Sequence, residues 1–181
     1  MSQLQGKVAL ITGGTSGIGL ATAREFIADG AQIVITGRRQ DTLDNVVKEL
    51  GAAATGIVSD AGNISDVHAL AKKVAAVHPQ LDIVFINAGY GKFAPLSAVD
   101  EQHFDQQFDV LVKGSFFTVQ QVLPLINNGG SIILNTSVVT EMGMPGASVY
   151  SAAKSAVKSL VKTFAAELIG QGIRVNAVSP G

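Results

Sequence analysis

The sequence predicts an α/β fold built on a doubly wound parallel sheet in three layers, with helices covering both faces of the sheet. Short runs rich in valine and isoleucine alternate with segments of helical periodicity along all 181 residues. The short runs are hydrophobic nearly throughout, as expected of parallel strands buried on both faces. Their alternation with helices indicates right-handed crossovers, and such sheets bind ligands beyond the carboxyl ends of their strands.

Each element is predicted from its own segment, in chain order. The runs predicted as strands are residues 8–12, 32–36, 56–59, 83–87, 131–136 and 174–178. The segments predicted as helices are residues 18–28, 41–50, 67–77, 104–126 and 151–169. With 47% hydrophobic and only 15% charged residues, the chain can bury one substantial core. We therefore expect a single domain over residues 1–181.

Composition and charge exclude several function classes. Thirteen basic and fourteen acidic residues give a net charge of −1, so the chain has no electrostatic footprint for nucleic acid or an anionic membrane. A chain without cysteine has no disulfide, thiolate nucleophile or sulfur-ligated zinc. His68, His78 and His103 show no metal-ligand spacing and are predicted to be solvated surface residues. A small-molecule ligand and no metal are expected.

The two ends of the sequence carry further expectations. The first residues show no long hydrophobic region before a cleavage site, so we predict no signal peptide and a cytoplasmic protein. The last residues, Ser179, Pro180 and Gly181, directly follow the sixth predicted strand, where a ligand-facing loop is expected. Nothing in the sequence caps that strand, so we expect the domain to be incomplete at its C-terminus.

A glycine-rich loop follows the first predicted strand and opens the first predicted helix. Its sequence, TGGTSGIG, places glycines at positions 13, 17 and 19. Such a loop brings backbone N–H groups and a helix dipole against a pyrophosphate, although a turn that needs glycine for tight packing would look similar. The residues predicted to bind a cofactor here are Thr12, Gly13, Thr15, Ser16, Gly17, Ile18 and Gly19.

This loop resembles the TGxxxGIG motif of the short-chain dehydrogenase/reductase family, which residues 12–19 match in full. The resemblance implies a Rossmann fold, a nicotinamide cofactor and oxidoreductase activity. It also implies that Asp60 meets the adenine amino group and that Asn87, Ala88 and Gly89 approach the adenosine, although INAG stands where the family most often has NNAG. An ordinary strand-ending turn is the alternative for that second motif.

The end of the second predicted strand bears on the choice between NAD(H) and NADP(H). NAD-preferring enzymes usually place an acidic residue there, whereas this sequence has Arg38 and Arg39. Two guanidinium groups suit a 2′-phosphate, and no carboxylate is present to repel it. We therefore predict NADP(H), with the alternative that one or both arginines are simply solvated.

Tyr150 and Lys154 lie four residues apart at the start of a predicted helix and therefore project from one face. Ser137 ends the fifth predicted strand, and the resemblance implies that these three residues are catalytic. Carbonyl reduction needs a proton donor, and a phenol with a pKa of about 10 is a weak one unless its anion is stabilised. An ammonium at about 4 Å supplies roughly the 4 kcal/mol required, at an effective dielectric constant of about 20. A half-buried tyrosine beside a solvated lysine is the alternative.

One position departs from the family. Leu111 stands where the pattern NVKG usually supplies an asparagine. The resemblance implies that this asparagine normally holds a water in a proton relay to the lysine. Leucine has no donor or acceptor, so we predict impaired or rerouted proton delivery. Toward the C-terminus, IRVNAVSPG again matches the family and implies that Pro180 and Gly181 lie near the nicotinamide. The family continues with a substrate loop and a seventh strand, which this sequence lacks.

Three functions compete. The favoured one is an NADP(H)-dependent oxidoreductase acting on a carbonyl or alcohol, with Tyr150 as acid/base, Lys154 as its charge partner and Ser137 orienting the substrate. A non-catalytic or weakly catalytic dinucleotide-binding or redox-sensing protein is the rival. The third possibility is an epimerase or dehydratase reaction, because related enzymes of those classes also use a tyrosine-lysine pair. The family commonly assembles through its long helices, so a homodimer or homotetramer is expected.

Overall fold

Six parallel strands form one sheet in the order β3-β2-β1-β4-β5-β6 in the computed structural model, which describes residues 2–181. The strands are β1 Val8–Ile11, β2 Gln32–Gly37, β3 Ala54–Val58, β4 Leu81–Ile86, β5 Ile126–Asn135 and β6 Arg174–Val178. The helices are α1 Gly17–Ala28, α2 Gln40–Leu50, α3 Ile64–Ala75, α4 Glu101–Phe108, α5 Gly114–Val122 and α6 Ser148–Leu168. The strand order reverses between β1 and β4, which is where doubly wound sheets bind ligands.

Alternate residues of each central strand enter different cores. Leu10 joins the core beneath α3, α5 and α6, whereas its neighbours Ala9 and Ile11 join the core beneath α1 and α2. All three are completely buried, which explains why the sequence of β1 shows no polar alternation. The predicted three-layer, doubly wound parallel sheet of the Rossmann type is therefore confirmed.

The predicted helix over residues 104–126 is wrong in its extent. Helix α4 ends at Phe108, five residues from Asp109 to Lys113 form a π-helical stretch, and α5 begins at Gly114. Gly114 packs directly on the backbone carbonyl of Ala61, an approach that leaves no space for a side chain. A 3₁₀ turn then ends the helix, and β5 already begins at Ile126 rather than at the predicted residue 131.

One histidine prediction is also wrong. His103 is 4% exposed, although it was expected on the surface with His68 and His78. Helix α4 begins after Asp100, whose side chain accepts a hydrogen bond from the His103 amide at 2.7 Å. That start directs His103 and Gln107, one turn apart, to the buried side of a helix that packs against α6.

None of the helices described over residues 2–181 combines the length and the apolar character that a membrane span requires.

Candidate active site

A cavity of about 490 Å³ opens beyond the carboxyl ends of β1, β2, β4 and β5, on both sides of the point where the strand order reverses. Most of the predicted site residues line it. They are Gly13, Thr15, Ser16, Gly17, Ile18, Arg38, Asp60, Asn87, Ala88, Gly89, Ser137, Tyr150, Lys154 and Pro180. Four others, namely Thr12, Gly19, Arg39 and Gly181, do not line the cavity. One continuous space thus joins the glycine-rich loop to the tyrosine and lysine.

The glycine-rich loop depends on its glycines, two of which pack against the segment that follows β4. Gly13 has a φ of +64°, and a Cβ atom on it would lie 2.9 Å from Cα of Ala88. A Cβ atom on Gly19 would lie 2.6 Å from Nδ2 of Asn87. The loop therefore packs directly against the segment that follows β4. This contact leaves the backbone N–H groups at the start of α1 open to the cavity.

Hydrogen bonds made by Thr12 and Asn87 stabilise the contact between the glycine-rich loop and the segment after β4. The Thr12 hydroxyl accepts hydrogen bonds from the amides of Asn87 and Ala88, at 2.9 and 3.0 Å. The Asn87 side chain donates in turn to the carbonyl oxygens of Thr12 and Gly13, at 3.1 and 3.2 Å. Thr12 is only 4% exposed, so it shapes the cavity from behind instead of facing a ligand.

The two arginines after β2 have different surroundings. Arg38 lines the cavity. The side chain of Arg39 is 75% exposed, and its Nε donates to the hydroxyl of Thr42 at 3.1 Å, beside the carboxylate of Asp41 at 3.9 Å. Arg38 is thus the arginine of this pair that lines the cavity, while Arg39 lies along the first turn of α2.

Asp60 follows β3 and lines the cavity beside Arg38. Its Oδ1 accepts a hydrogen bond from the amide of Gly62 at 2.9 Å, and its own amide donates to Asp66 at 3.0 Å. Those two bonds fix the turn that carries the carboxylate. At the other end of the cavity, the carbonyl oxygen of Pro180 accepts from the amide of Val138, 3.1 Å away, which places Pro180 beside Ser137.

Ser137, Tyr150 and Lys154 all reach the same end of the cavity. Tyr150 lies in the first turn of α6 and Lys154 one turn later, with Nζ of the lysine 5.8 Å from the centre of the tyrosine ring. Ser137 is 8% exposed, and its hydroxyl accepts from the Val139 amide at 3.4 Å, at the start of a 3₁₀ turn. A phenol, an amine and a hydroxyl therefore line the same cavity.

The ammonium of Lys154 is nearly desolvated. Lys154 is 6% exposed, and burial lowers its pKa from 10.5 to about 8. Leu111 is its apolar neighbour across Gly89. A Cβ atom placed on Gly89 would lie 2.6 Å from Cδ2 of Leu111 and 3.9 Å from Nζ of Lys154. Leu111 is itself 1% exposed. Leu111 and the ammonium of Lys154 therefore both lie close to Gly89.

Asn135, at the end of β5, is a site residue that the sequence analysis missed. Its backbone carbonyl accepts a hydrogen bond from Nζ of Lys154 at 2.6 Å, and its side chain donates to Oδ1 of Asn87 at 2.9 Å. A chain of hydrogen bonds thus runs from the glycine-rich loop through Asn87 and Asn135 to Lys154. Asn135 directly precedes Thr136 and Ser137 at a carboxyl strand end, and that position was the only sequence signal.

Comparison with known proteins agrees with this geometry. The family model "short chain dehydrogenase" matches residues 7–181. The oxidoreductase asL5 of Sarocladium schorii is 41% identical over 182 residues, which cover 99% of this chain and 73% of that protein. The 3-oxoacyl-[acyl-carrier-protein] reductase FabG of Thermotoga maritima is 37% identical over 184 residues, covering 99% of this chain and 75% of that protein.

Solved structures agree as well. The crystal structure of a short chain dehydrogenase from Burkholderia cenocepacia in complex with NADP matches with a TM-score of 0.93 and 33% identity, over 99% of this chain and 75% of that one. The present chain thus spans about three quarters of the length of these relatives. Fold and cavity together define a Rossmann-type α/β protein with a tyrosine and a lysine in its ligand site. The chain belongs to the short chain dehydrogenase/reductase family and is an oxidoreductase of that family.

Proposed function

We propose that the protein transfers a hydride between NADP(H) and a carbonyl or alcohol substrate, with Tyr150 as the acid/base. The observation that carries the proposal is the burial of Lys154 beside Tyr150, in the same cavity as the glycine-rich loop. A lysine that is 6% exposed is kept at a cost in stability, which a purely structural role would not require.

The residues that line the cavity fit a nicotinamide dinucleotide. Gly13 and Gly19 bring the backbone close to the site where a pyrophosphate would lie, and Arg38 would meet a 2′-phosphate. Asp60 would accept a hydrogen bond from the adenine, with Asn87, Ala88 and Gly89 along the adenosine. When bound, the cofactor supplies the hydride. Relatives from this family are described in complex with NADPH or NADP, which supports the same choice.

The protein's own residues then handle the proton. In the direction of reduction, the Tyr150 hydroxyl gives its proton to the substrate oxygen as the carbon–oxygen double bond becomes a single bond. Lys154 stabilises the phenolate left behind, and Ser137 donates a hydrogen bond to the substrate oxygen. With Leu111 in place of a polar residue, the proton reaches Tyr150 by a route that avoids this side chain.

The test combines binding with turnover. The protein is titrated with NADPH and with NADH, and the reduced-nicotinamide absorbance is then followed with a panel of aldehydes and ketones. The proposal predicts tighter binding of NADPH and its oxidation only when a carbonyl is present. Equal binding of both cofactors would contradict the NADP(H) preference.

A non-catalytic dinucleotide sensor is the second candidate, because Leu111 places a side chain without a hydrogen-bond donor or acceptor near Gly89 and Lys154. It predicts tight NADPH binding with no carbonyl-dependent oxidation on any substrate of the panel. The same titration therefore separates the two functions.

We also propose that the protein acts in the cytoplasm as a homodimer or homotetramer. The apolar side chain of Phe104 is 45% exposed and stacks on Phe108 at 4.5 Å between ring centres, so α4 presents an aromatic surface outside the core. Size-exclusion chromatography with light scattering should give the mass of two or four chains. A monomer at high concentration would refute assembly.

A further inference from the structure

Two loops next to Tyr150 carry exposed apolar side chains. The loops are residues 87–95, after β4, and residues 141–147, before α6, and the amide of Ala94 joins them by donating to the carbonyl of Gly146 at 2.9 Å. We call their exposed large side chains the apolar rim. The apolar rim consists of Tyr90, Phe93, Met142 and Met144, each at least 41% exposed. Tyr90 lines the cavity, and exposed apolar groups near a cavity can form a surface that binds apolar ligands.

Phe93 is the member of the apolar rim that reaches the reacting group. Its ring lies edge-to-face on that of Tyr150, with centres 5.6 Å apart and planes at 66°. Gly91 makes the contact possible, because a Cβ atom there would lie 2.8 Å from Cζ of Phe93 and 3.6 Å from Cε2 of Tyr150. The Phe93 side chain nevertheless remains 53% exposed. An aromatic surface thus remains open directly beside the Tyr150 ring.

Each of the two loops contains one charged residue. Residues 87–95 contain one charged residue, Lys92, whose Nζ lies 3.4 Å from Oε1 of Gln106. Residues 141–147 contain Glu141, which is paired with Lys158 and accepts from the hydroxyl of Thr140 at 2.9 Å. Glu141 is therefore neutralised by a lysine, whereas Lys92 keeps its positive charge because Gln106 is a neutral amide.

We propose that Phe93 is a specificity-determining residue, and that the substrates are aldehydes or ketones with an aryl group on the carbonyl carbon. This inference rests on the proposed oxidoreductase function. When the carbonyl oxygen meets Tyr150, the aryl group lies against the exposed part of the Phe93 ring. Offset or edge-to-face contact between the two rings favours that arrangement over an alkyl group of similar size.

Kinetics of two variants on two substrates test the proposal. The substrates are benzaldehyde and the small aliphatic acetaldehyde, each with NADPH. The change F93A should lower kcat/KM for benzaldehyde about 10-fold and leave that for acetaldehyde within about twofold. The matched control is L96A, which removes a side chain that is 81% exposed and should change none of these values.

Several outcomes would overturn the proposal. An equal loss on benzaldehyde and acetaldehyde would mean that Phe93 acts only by holding Tyr150, and no loss on either would mean that it touches no substrate. If no carbonyl is turned over at all, the proposed function fails by itself. In that case, saturation-transfer NMR with benzyl alcohol still tests whether an aryl group binds against Phe93. Transfer to the aryl protons should be present in wild type and L96A and lost in F93A, and transfer that persists in F93A would contradict the proposal.

Discussion

The two ends of the ligand cavity are built in different ways. At the glycine-rich loop, the backbone makes the site, and Gly13 and Gly19 serve by having no side chain. At the reactive end, side chains make the site, and the buried Lys154 depends on its neighbours Leu111 and Asn135. Backbone sites are specified by local spacing, whereas the charge state of a buried side chain is specified by distant residues that pack against it.

The sharpest test of this difference removes the buried charge. Lys154→Met should lower kcat about 1,000-fold, because the phenolate left by proton transfer loses its cation. Binding of NADPH should fall far less, since the glycine-rich loop and Arg38 lie at the other end of the cavity. Steady-state kinetics and NADPH titration give the two values.

Lys162→Met is the matched control, because Lys162 is an exposed lysine on the same helix. It should leave kcat and cofactor binding unchanged. Loss of NADPH binding in Lys154→Met as large as the loss in kcat would show that the two ends of the cavity do not act separately.

The next largest effect is expected at the end of the cavity that contains the glycine-rich loop. Arg38→Ala should raise the Kd for NADPH roughly 10- to 100-fold, since it removes a charge-assisted hydrogen bond of about 1.5–3 kcal/mol. The Kd for NADH should change little. Arg39→Ala is the control, because Arg39 lies outside the cavity and contacts Thr42. If Arg39→Ala has the larger effect on NADPH, the assignment of Arg38 is wrong.

A smaller effect tests the apolar neighbour of Lys154. Leu111→Asn should raise kcat about 3- to 10-fold, since a polar group and a water beside the lysine give the proton an additional path. Leu111→Met keeps an apolar side chain of similar volume and should leave kcat within about twofold. An unchanged kcat in Leu111→Asn would show that proton delivery does not limit turnover.

The smallest expected effect is on stability. Burial lowers the pKa of Lys154 from 10.5 to about 8, so between these values the unfolded chain binds more protons than the folded protein. The free energy of unfolding of wild type should therefore rise with pH across this window, by about 2 kcal/mol from pH 8 to pH 10 relative to Lys154→Met. Urea unfolding of both proteins at several pH values measures the difference. If the difference in free energy of unfolding between the two proteins did not change with pH, folding would not lower the pKa of Lys154.

The fold was predictable because its determinants are local. Continuous apolar runs such as β1 and the spacing of the glycines in residues 12–19 gave the parallel sheet and the position of the loop. The boundaries around α4 and α5 were not predictable, because the backbone stays helical through the π-helical stretch Asp109–Lys113 that separates them. Periodicity continued through this break, so a single long helix was expected.

The site was predictable where a residue type itself carries the chemistry, as for Tyr150 and Lys154. Asn135 was missed, because the group that meets Lys154 is its backbone carbonyl, which any residue possesses. His103 was misplaced for a similar reason. Its burial follows from the start of α4 at the Asp100 cap, and its side-chain type alone favours the surface.

The most direct test of the central claim is a single-turnover comparison of wild type with Tyr150→Phe, each preloaded with NADPH and mixed with benzaldehyde and, separately, acetaldehyde. We predict that Tyr150→Phe binds NADPH with a Kd within about threefold of wild type but oxidises it at least about 100-fold more slowly on both substrates. Oxidation at the wild-type rate in Tyr150→Phe would contradict the assignment of Tyr150 as the acid/base.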